Sequence, residues 1–320
     1  MPAIGQDQLS SLVRHHVIPI ITDNIYGQIP MFFRLMMGNK RTVNGGRWIE
    51  APLMYKKANV GGSYTGAQVL TMAQFEDTKN GFWNWKQYYV PVVIDGLTLV
   101  MADSPLAIAD YVKKQMKSAE MYMADLLSNA LWATAPGAND IDSITTAVDS
   151  TGTYAGLSRA VDTWWAANET TAASTVGHTF LNNLFMNASV GGRHPTIICS
   201  RKDQYNRYFA VNMAAGERPH FISPTSRDET LANAGFVNQI FNGVPWIVDD
   251  TVSRSNGTDS DIFMLNEEFF EVVVSPRGDF IFKDFTEPHD QDAITGRLHF
   301  VGNVIQTSSR NHSKASNVTA

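Results

Sequence analysis

A chain of 320 residues with 44% apolar and 18% charged residues has the composition of an ordinary globular protein, which excludes a disordered or fibrous one. The formal net charge of −6 disfavours nucleic-acid binding as the main task, although it leaves room for a basic inner face. Cys199 is the only cysteine, so the chain can form neither an internal disulfide nor a metal site built on several thiolates.

The apolar stretches of the chain argue against a membrane protein. Residues 1–11 lack the basic start and apolar core of a signal peptide. The longest apolar stretch, from Val90 to Ala102, is interrupted by Asp95 and Gly96. It is shorter than a membrane-spanning helix, which needs about 20 apolar residues. We therefore expect a protein of a reducing intracellular compartment that makes no membrane contact.

The first 44 residues are predicted to form an arm. Leu9, Leu12 and Val13 recur at helical spacing, which predicts a short amphipathic helix over 6–17. Pro19 and Pro30 then favour extended backbone before each of them. Such an arm needs another surface to lie on, and Leu9 and Leu12 are its candidate contact residues.

Residues 45–90 are predicted to form a long hairpin. Strands are expected over 47–55 and 82–90, with a glycine-rich segment of no clear periodicity between them. If the two strands pair, this excursion of about 40 residues reaches roughly 50–60 Å. A compact body of this length has a radius of gyration of about 20 Å. The hairpin therefore cannot be folded away inside its own subunit.

Aromatic side chains crowd this hairpin, and three interpretations of them remain open. They could fold back on the local core, contact another protein chain, or stack on nucleic acid. Trp and Tyr are favoured anchors of protein interfaces, whereas a stacking platform would need more basic residues than Lys56, Lys57 and Lys79. The candidate contact residues of the hairpin are Trp48, Tyr55, Tyr64, Phe75, Trp83 and Trp85.

The clearest single element is a helix over about 104–133. Ser104 suits the N-cap and Pro105 the first helical position. A sustained apolar stripe then predicts an amphipathic helix about 40 Å long. The stripe consists of Ile108, Val112, Met116, Ala119, Met123, Leu126 and Ala130.

A compact mixed region is predicted over 150–261, followed by strands. Its expected elements are helices over 157–167, 179–188 and 200–213, a strand over 196–199, and a hairpin turning at Asn242-Gly243. From Ile262, strands are expected over 262–265, 269–274, 280–285 and 297–307. The tail from Ser308 is rich in Ser, Asn and Lys and is expected to be frayed.

Catalytic and ligand-binding patterns are absent from the sequence. There is no Gly-x-Ser-x-Gly elbow, no phosphate-binding loop, no His-Glu-x-x-His and no Gly-x-Gly-x-x-Gly. The aspartates from Asp249 to Asp261 fail the EF-hand spacing, so a polar surface loop is expected there, with Asp249 and Asp250 as candidate contact residues. We predict no catalytic residue, no metal and no cofactor.

The order of these elements resembles that of the major capsid proteins of tailed bacteriophages. Local phrases are also similar: Gly46-Arg47-Trp48-Ile49-Glu50-Ala51-Pro52-Leu53, Asp103-Ser104-Pro105, Thr153-Tyr154-Ala155-Gly156-Leu157-Ser158-Arg159 and Phe241-Asn242-Gly243-Val244-Pro245. The resemblance implies an α+β chain with the Hong Kong 97-like capsid fold, which encapsulins share. Its parts would be an N-terminal arm (1–44), an extended hairpin loop (45–90), a peripheral domain with a long spine helix (91–149 and 262–320) and an axial domain (150–261).

The resemblance also implies the function and the partners. Hexamers and pentamers of this one chain would close into an icosahedral head around double-stranded DNA, contacted without sequence specificity. The expected location is the virion, and the host cytoplasm during assembly. Because the arm begins within the first residues, we expect a separate scaffolding protein, besides a portal protein; a decoration protein is a further partner that the resemblance allows. We expect no Lys–Asn cross-link between subunits.

Two other functions remain open at this stage. An encapsulin-type compartment shell would have the same fold and enclose a cargo enzyme instead of DNA. A soluble α/β enzyme of unknown substrate would instead be a small oligomer with a pocket of convergent polar groups.

Overall fold

The computed structural model describes residues 30–57, 61–70, 74, 76–97, 105–171, 175–214, 239–254, 259–290 and 292–319. The helices within these residues are α1 (Pro30–Gly38), α2 (Pro105–Leu131), α3 (Ile144–Ala147), α4 (His178–Asn187) and α5 (Lys202–Ala214). The strands are β1 (Lys40–Thr42), β2 (Ile49–Met54), β3 (Thr78–Trp83), β4 (Lys86–Asp95), β5 (Thr153–Tyr154), β6 (Leu157–Ser158), β7 (Asn168–Thr171), β8 (Ile197–Ser200), β9 (Ile240–Phe241), β10 (Val244–Val248), β11 (Ser260–Leu265), β12 (Phe270–Val274), β13 (Ile281–Thr286), β14 (Ala293–Gln306) and β15 (Ser313–Val318). None of these helices is long and apolar enough to cross a membrane.

A five-stranded sheet is built around the long strand β14. Strand β4 pairs with one edge of β14 over ten residues, whereas β12 and β13 share the other edge and β1 extends β12 in parallel. Alternate residues of β4 are buried, as expected for a sheet covered on one face only. Helix α2 packs against β4. The predicted apolar stripe of α2 is confirmed, except that Leu127 is fully buried where Leu126 is half-buried.

A six-stranded sheet has the order β7-β15-β11-β8-β10-β9. All residues of β8 and β11 are buried, because both faces of this sheet are covered. One face packs against apolar residues of α4 and α5, including Leu181 and Tyr208. The other face joins the main core, where Trp132 after α2 lies 5.1 Å from Phe263 between ring centroids. The hairpin of β9 and β10 turns at Asn242 and Gly243, both at positive φ (49° and 80°), which confirms the predicted turn.

The two sheets are joined where the chain passes from one to the other. Strand β11 leads through Asn266 into β12, and β14 leads through residues 307–312 into β15. At this crossing the backbone N–H of Asn266 donates to Nδ1 of His312 (3.1 Å). The His312 ring is fully buried and lies 4.6 Å from the Phe270 ring. Burial lowers the pKa of His312 to about 3.

Three predictions in the first half of the chain are wrong. Residues 30–38, placed in the arm, form helix α1 with Pro30 at its first position, and Phe32 and Leu35 are fully buried in the core of their own subunit. The run 82–90 is not one returning strand, because it bends at Asn84 and Trp85: β3 stays with β2 while β4 joins β14. The expected helix over 157–167 is instead the hairpin of β5 and β6 and a short 3-10 turn over Thr163–Trp165. The helix of residues 6–17 lies outside the described residues.

The C-terminal tail is not frayed. Strand β15 lies between β7 and β11 in the six-stranded sheet, and Ala315 and Val318 are fully buried. The polar composition led to a wrong prediction because these serine hydroxyls find hydrogen-bond partners inside the protein. Ser313 donates to the Leu184 carbonyl and Ser316 to the Glu169 carboxylate. Residues 262–265 and 313–318, which the sequence assigned to the peripheral domain, therefore pair with strands of the region 150–261.

We predict that His312 makes the folded subunit sensitive to acid. The unfolded chain takes up a proton at this side chain below a pKa of about 6.5, whereas the folded chain does so only near 3. The free energy of unfolding should therefore fall by up to about 1.4 kcal/mol per pH unit from this group as the pH drops below 6.5. Urea unfolding at pH 7.5 and at pH 5 should show a smaller difference for His312→Gln than for the parent chain.

His289→Gln is the matched control, because His289 is exposed on the turn between β13 and β14. It should leave the pH dependence as in the parent chain. An unchanged pH dependence in His312→Gln would show that His312 does not carry this effect.

Candidate subunit-contact surface

Strands β2 and β3 form the base of the predicted hairpin. They pair antiparallel from Ile49 opposite Trp83 to Met54 opposite Thr78. Every second residue of β2 is buried, and Trp83 is 2% exposed. Gly81 is required here, since a Cβ at this position would lie 2.6 Å from the Trp83 ring. The base of the hairpin is thus packed on its own subunit by one face.

A chain of aromatic contacts holds this base to the body. The Trp83 ring contacts Tyr154 edge to face at 6.2 Å, and Tyr154 stacks on Trp165 at 6.1 Å. Trp165 contacts Trp164 at 5.5 Å, and Trp164 stacks on Tyr55 at 5.2 Å. The chain of rings therefore starts on β3 and ends just after β2. Burial raises the pKa of the Tyr154 hydroxyl, so this side chain stays neutral.

The tight turn between β5 and β6 positions these rings. Ala155 and Gly156 both have positive φ (56° and 77°), and the Ala155 carbonyl accepts a hydrogen bond from the Phe82 N–H (3.0 Å). Arg159 is 4% exposed, and its guanidinium donates to the carbonyls of Thr151, Thr146 and Ala147 at 2.8, 3.0 and 2.6 Å. These hydrogen bonds engage Nη1 and Nη2 of the guanidinium, whereas the buried Nε has no hydrogen-bond partner. Arg159 thereby fixes the segment that receives the hairpin.

Four side chains, Tyr55, Lys79, Asp162 and Trp164, form a cluster that we call the clamp. Lys79 Nζ lies 2.5 Å from Asp162 Oδ1 and 5.6 Å from the centre of the Tyr55 ring. Trp164 Nε1 donates to the same Asp162 oxygen (3.2 Å). The hydrogen bond between Lys79 and Asp162 raises the pKa of the lysine and lowers the pKa of the carboxyl. Both groups are therefore charged at neutral pH.

The described residues beyond the clamp are exposed, except for the half-buried Asp77. Tyr64 is 63% exposed, Val69 91% and Leu70 52%. We call residues 56–77 the tip. The apolar side chains among its described residues lie outside the hydrophobic core, which is typical of a surface that another molecule covers.

The structure separates the residues that the sequence grouped as contact candidates. Trp48 and Tyr64 are exposed, Tyr55 and Trp85 are half-buried, and Asp250 is exposed and pairs with Lys202 at 3.3 Å. Two of the candidates, Trp83 and Asp249, are instead buried in their own subunit. Trp83 belongs to the chain of rings, and Asp249 accepts hydrogen bonds from Trp132 Nε1 (3.0 Å) and from Thr251. Leu9, Leu12 and Phe75 lie outside the described residues.

The outward face of the five-stranded sheet is a second exposed surface, which the sequence analysis missed. Tyr89 on β4 and Ile281 on β13 flank His299 on β14. Two residues further along, on the same face, Lys283 of β13 lies opposite Arg297 of β14. Tyr89 is 64% exposed. Burial and the charges of Lys283 and Arg297 lower the pKa of His299. The period-two alternation of β4 is the signal that would have indicated this face.

The described residues were compared with the side-chain groups that bind metal ions or small molecules. They contain no cluster of three or more His, Cys, Asp or Glu side chains that could hold a metal ion. A cleft of about 370 Å³ lies beside the hairpin base, lined by Tyr55, Trp164, Arg193, Phe269 and the segment 307–311 among others. Burial raises the pKa of the Cys199 thiol, which keeps it protonated and unreactive.

Comparison with known proteins gives matches in structure but not in sequence. No protein-family model matches the chain, and no curated protein matches it. The chain is similar to the capsid asymmetric unit of cyanophage A-1(L), with 13% identity, a TM-score of 0.63 and coverage of 91% of this chain and 93% of that chain. It is similar to the SrpI encapsulin of Synechococcus elongatus (11% identity, TM-score 0.58, coverage 89% and 87%). It is also similar to the capsid of Myoviridae phage XM1 (9% identity, TM-score 0.57, coverage 89% and 92%).

The chain has the Hong Kong 97-like capsid fold. Each match covers about nine tenths of both chains, so this fold accounts for most of the chain. The expected α+β fold class is confirmed. Because the identities are between 9% and 13%, the chain shares the course of the backbone with these proteins while its side-chain contacts are its own.

We predict that Arg159→Lys destabilises the subunit by about 2–4 kcal/mol, because an ammonium cannot reach three carbonyls that a guanidinium spans, and buried carbonyls lose their donors. Urea unfolding would show the loss as a lower midpoint with an unchanged slope. Arg277→Lys, on the exposed turn after β12, is the matched control and should leave the midpoint in place. Equal midpoints for the two variants would contradict the structural role of Arg159.

Proposed function

We propose that this chain is the major capsid protein of a tailed bacteriophage. Copies of it assemble as hexamers and pentamers into an icosahedral head that encloses double-stranded DNA. The observation that carries this proposal is the exposed apolar tip of a hairpin on a chain that otherwise matches capsid subunits over nearly its whole length. The role is structural, and binding between copies takes the place of chemistry.

The exposed surfaces have the composition of protein contacts. Tyr64, Val69 and Leu70 project from the tip, and Tyr89 and Val93 lie on the outward sheet face. Aromatic and apolar anchors dominate the binding energy of protein interfaces. Many such contacts of modest size, repeated by symmetry, are sufficient to close a shell.

The strand pairing supports a division of the chain into four parts. Residues 1–29 are the N-terminal arm, α1 and β1 belong to the body, and 45–90 contain the extended loop that lies over a neighbouring copy. The peripheral domain takes 91–149 and most of 262–320, with α2 as its spine. The axial domain takes 150–261 together with 262–265 and 313–318, because these strands complete the six-stranded sheet.

The proposed partners are other copies of the chain, a separate scaffolding protein, a portal protein, a decoration protein and the packaged DNA. Helix α2 carries three exposed lysines, Lys113, Lys114 and Lys117. They support a contact with DNA that is independent of base sequence, since lysines neutralise phosphates without recognising bases. The proposed location is the virion, and the host cytoplasm during assembly.

An encapsulin-type compartment is the second candidate. The similarity to the SrpI encapsulin, at a TM-score of 0.58, supports it about as well as the similarity to phage XM1 does at 0.57. The two candidates differ in what the shell encloses. Particles isolated from the native source would contain nuclease-protected double-stranded DNA in the first case and a cargo protein in the second.

The deciding experiment is negative-stain electron microscopy of the purified chain, with light scattering on the same sample. Capsomers, sheets or closed shells are expected, with and without added scaffolding protein. A small, stable oligomer that does not assemble in either condition would contradict a shell function.

We predict that the double substitution Tyr64→Ser and Val69→Ser slows or abolishes assembly without changing the unfolding midpoint. The reason is that these side chains are exposed in the isolated subunit and buried only between copies. Light scattering would follow assembly, and urea unfolding would follow stability. Val161→Ser, which removes a side chain that is 79% exposed on the body, is the control. Equal assembly of the tip variant and the control would contradict a contact role for the tip.

A further inference from the structure

Among the described residues, the clamp is the last contact between the side chains of the hairpin and the rest of its own subunit. Tyr55 directly follows β2, and Lys79 lies in β3 opposite Leu53. Past this point along the hairpin, Asp77 is the one described residue that is half-buried, and its carbonyl accepts from the Tyr55 N–H within the hairpin itself (2.9 Å). The clamp thus lies where the packed base changes to the exposed tip.

The hairpin is unsupported on one side of the clamp. The cleft of about 370 Å³ beside the base is lined by Tyr55, Trp164, Arg193 and Phe269 among others. Because side chains do not fill this space, packing there does not stop the hairpin from turning toward it. The direction of the tip then depends on the contacts of the clamp.

The clamp is suited to set a direction rather than to hold the fold together. The ion pair of Lys79 and Asp162 is partly exposed, with 37% and 12% of the side chains accessible, and such pairs add little to stability. It is, however, specific in geometry, because Asp162 accepts from both Lys79 and Trp164 while Trp164 stacks on Tyr55. The buried face of β2 and the ring of Trp83 keep the base folded without it.

We propose that Tyr55, Lys79, Asp162 and Trp164 are positioning residues for assembly: they fix the angle at which each subunit presents its tip to a neighbouring copy. This inference rests on the proposed shell function. A tip held at the right angle before contact does not have to be ordered during contact, and pre-organisation of this kind strengthens and accelerates association.

The test measures the direction of the tip and the assembly of the chain separately. Spin labels at Ser63→Cys in the tip and Ser118→Cys on the exposed face of α2 report the distance between tip and body in unassembled subunits. The native Cys199 is fully buried and stays unlabelled in the folded chain. The variants are Asp162→Asn, Lys79→Gln and the exchanged pair Lys79→Asp with Asp162→Lys. Lys202→Gln, which removes the exposed pair of Lys202 and Asp250, is the control.

The parent chain and the control should give one narrow distance. Asp162→Asn and Lys79→Gln should give a distribution roughly twofold broader and, in the unlabelled chain, assembly roughly tenfold slower because the tip must be ordered on contact. Their urea midpoints should match the parent. The exchanged pair should restore the narrow distance and most of the assembly rate, which a general loss of packing would not allow.

Two outcomes would overturn the inference. Distances as narrow in Asp162→Asn as in the parent would show that the clamp does not hold the tip. Broader distances with an unchanged assembly rate would show that the angle does not matter for assembly. A parent chain that never assembles would instead contradict the proposed function, and the distances would still show whether the clamp fixes the hairpin.

Discussion

The packing of the hairpin base against the body is the constraint on which the rest of the molecule depends. Five rings in contact, from Trp83 to Tyr55, tie the hairpin base to Tyr154 of β5 and to the 3-10 turn over Thr163–Trp165. Arg159, which follows β6, anchors this segment by hydrogen bonds to three carbonyls. With the base fixed in this way, the tip projects from the subunit and its apolar side chains remain available for another copy.

The two sheets of the body are joined by chain crossings, a hydrogen bond and side-chain packing. The chain passes between them at Asn266 and at 307–312, among other places, and His312 accepts a hydrogen bond that joins these two crossings. Helix α2 packs on the five-stranded sheet, and Trp132 just after it contacts Phe263 of the six-stranded sheet.

The contact surfaces combine two kinds of residue with different physical roles. Apolar tip residues such as Val69 and Leu70 gain free energy when water leaves them. Partly exposed ion pairs such as Lys79 with Asp162 add little stability but restrict geometry. Assembly of a closed shell needs both, because weak contacts close only when each one meets its partner at the right angle.

The sequence by itself determined those elements whose signal is local. The apolar stripe of α2, the Asn242-Gly243 turn, helix α4 and the hairpin with its exposed aromatic residues follow from periodicity and turn chemistry, and the element order was sufficient to indicate the capsid fold. The tertiary structure decided what depends on distant partners. The polar segment 313–318 is a central strand because β7 and β11 flank it. Trp83 and Asp249 are buried and Tyr64 is exposed, although the sequence offered all three alike, since burial depends on which surface lies opposite a residue in the fold and not on the residue type.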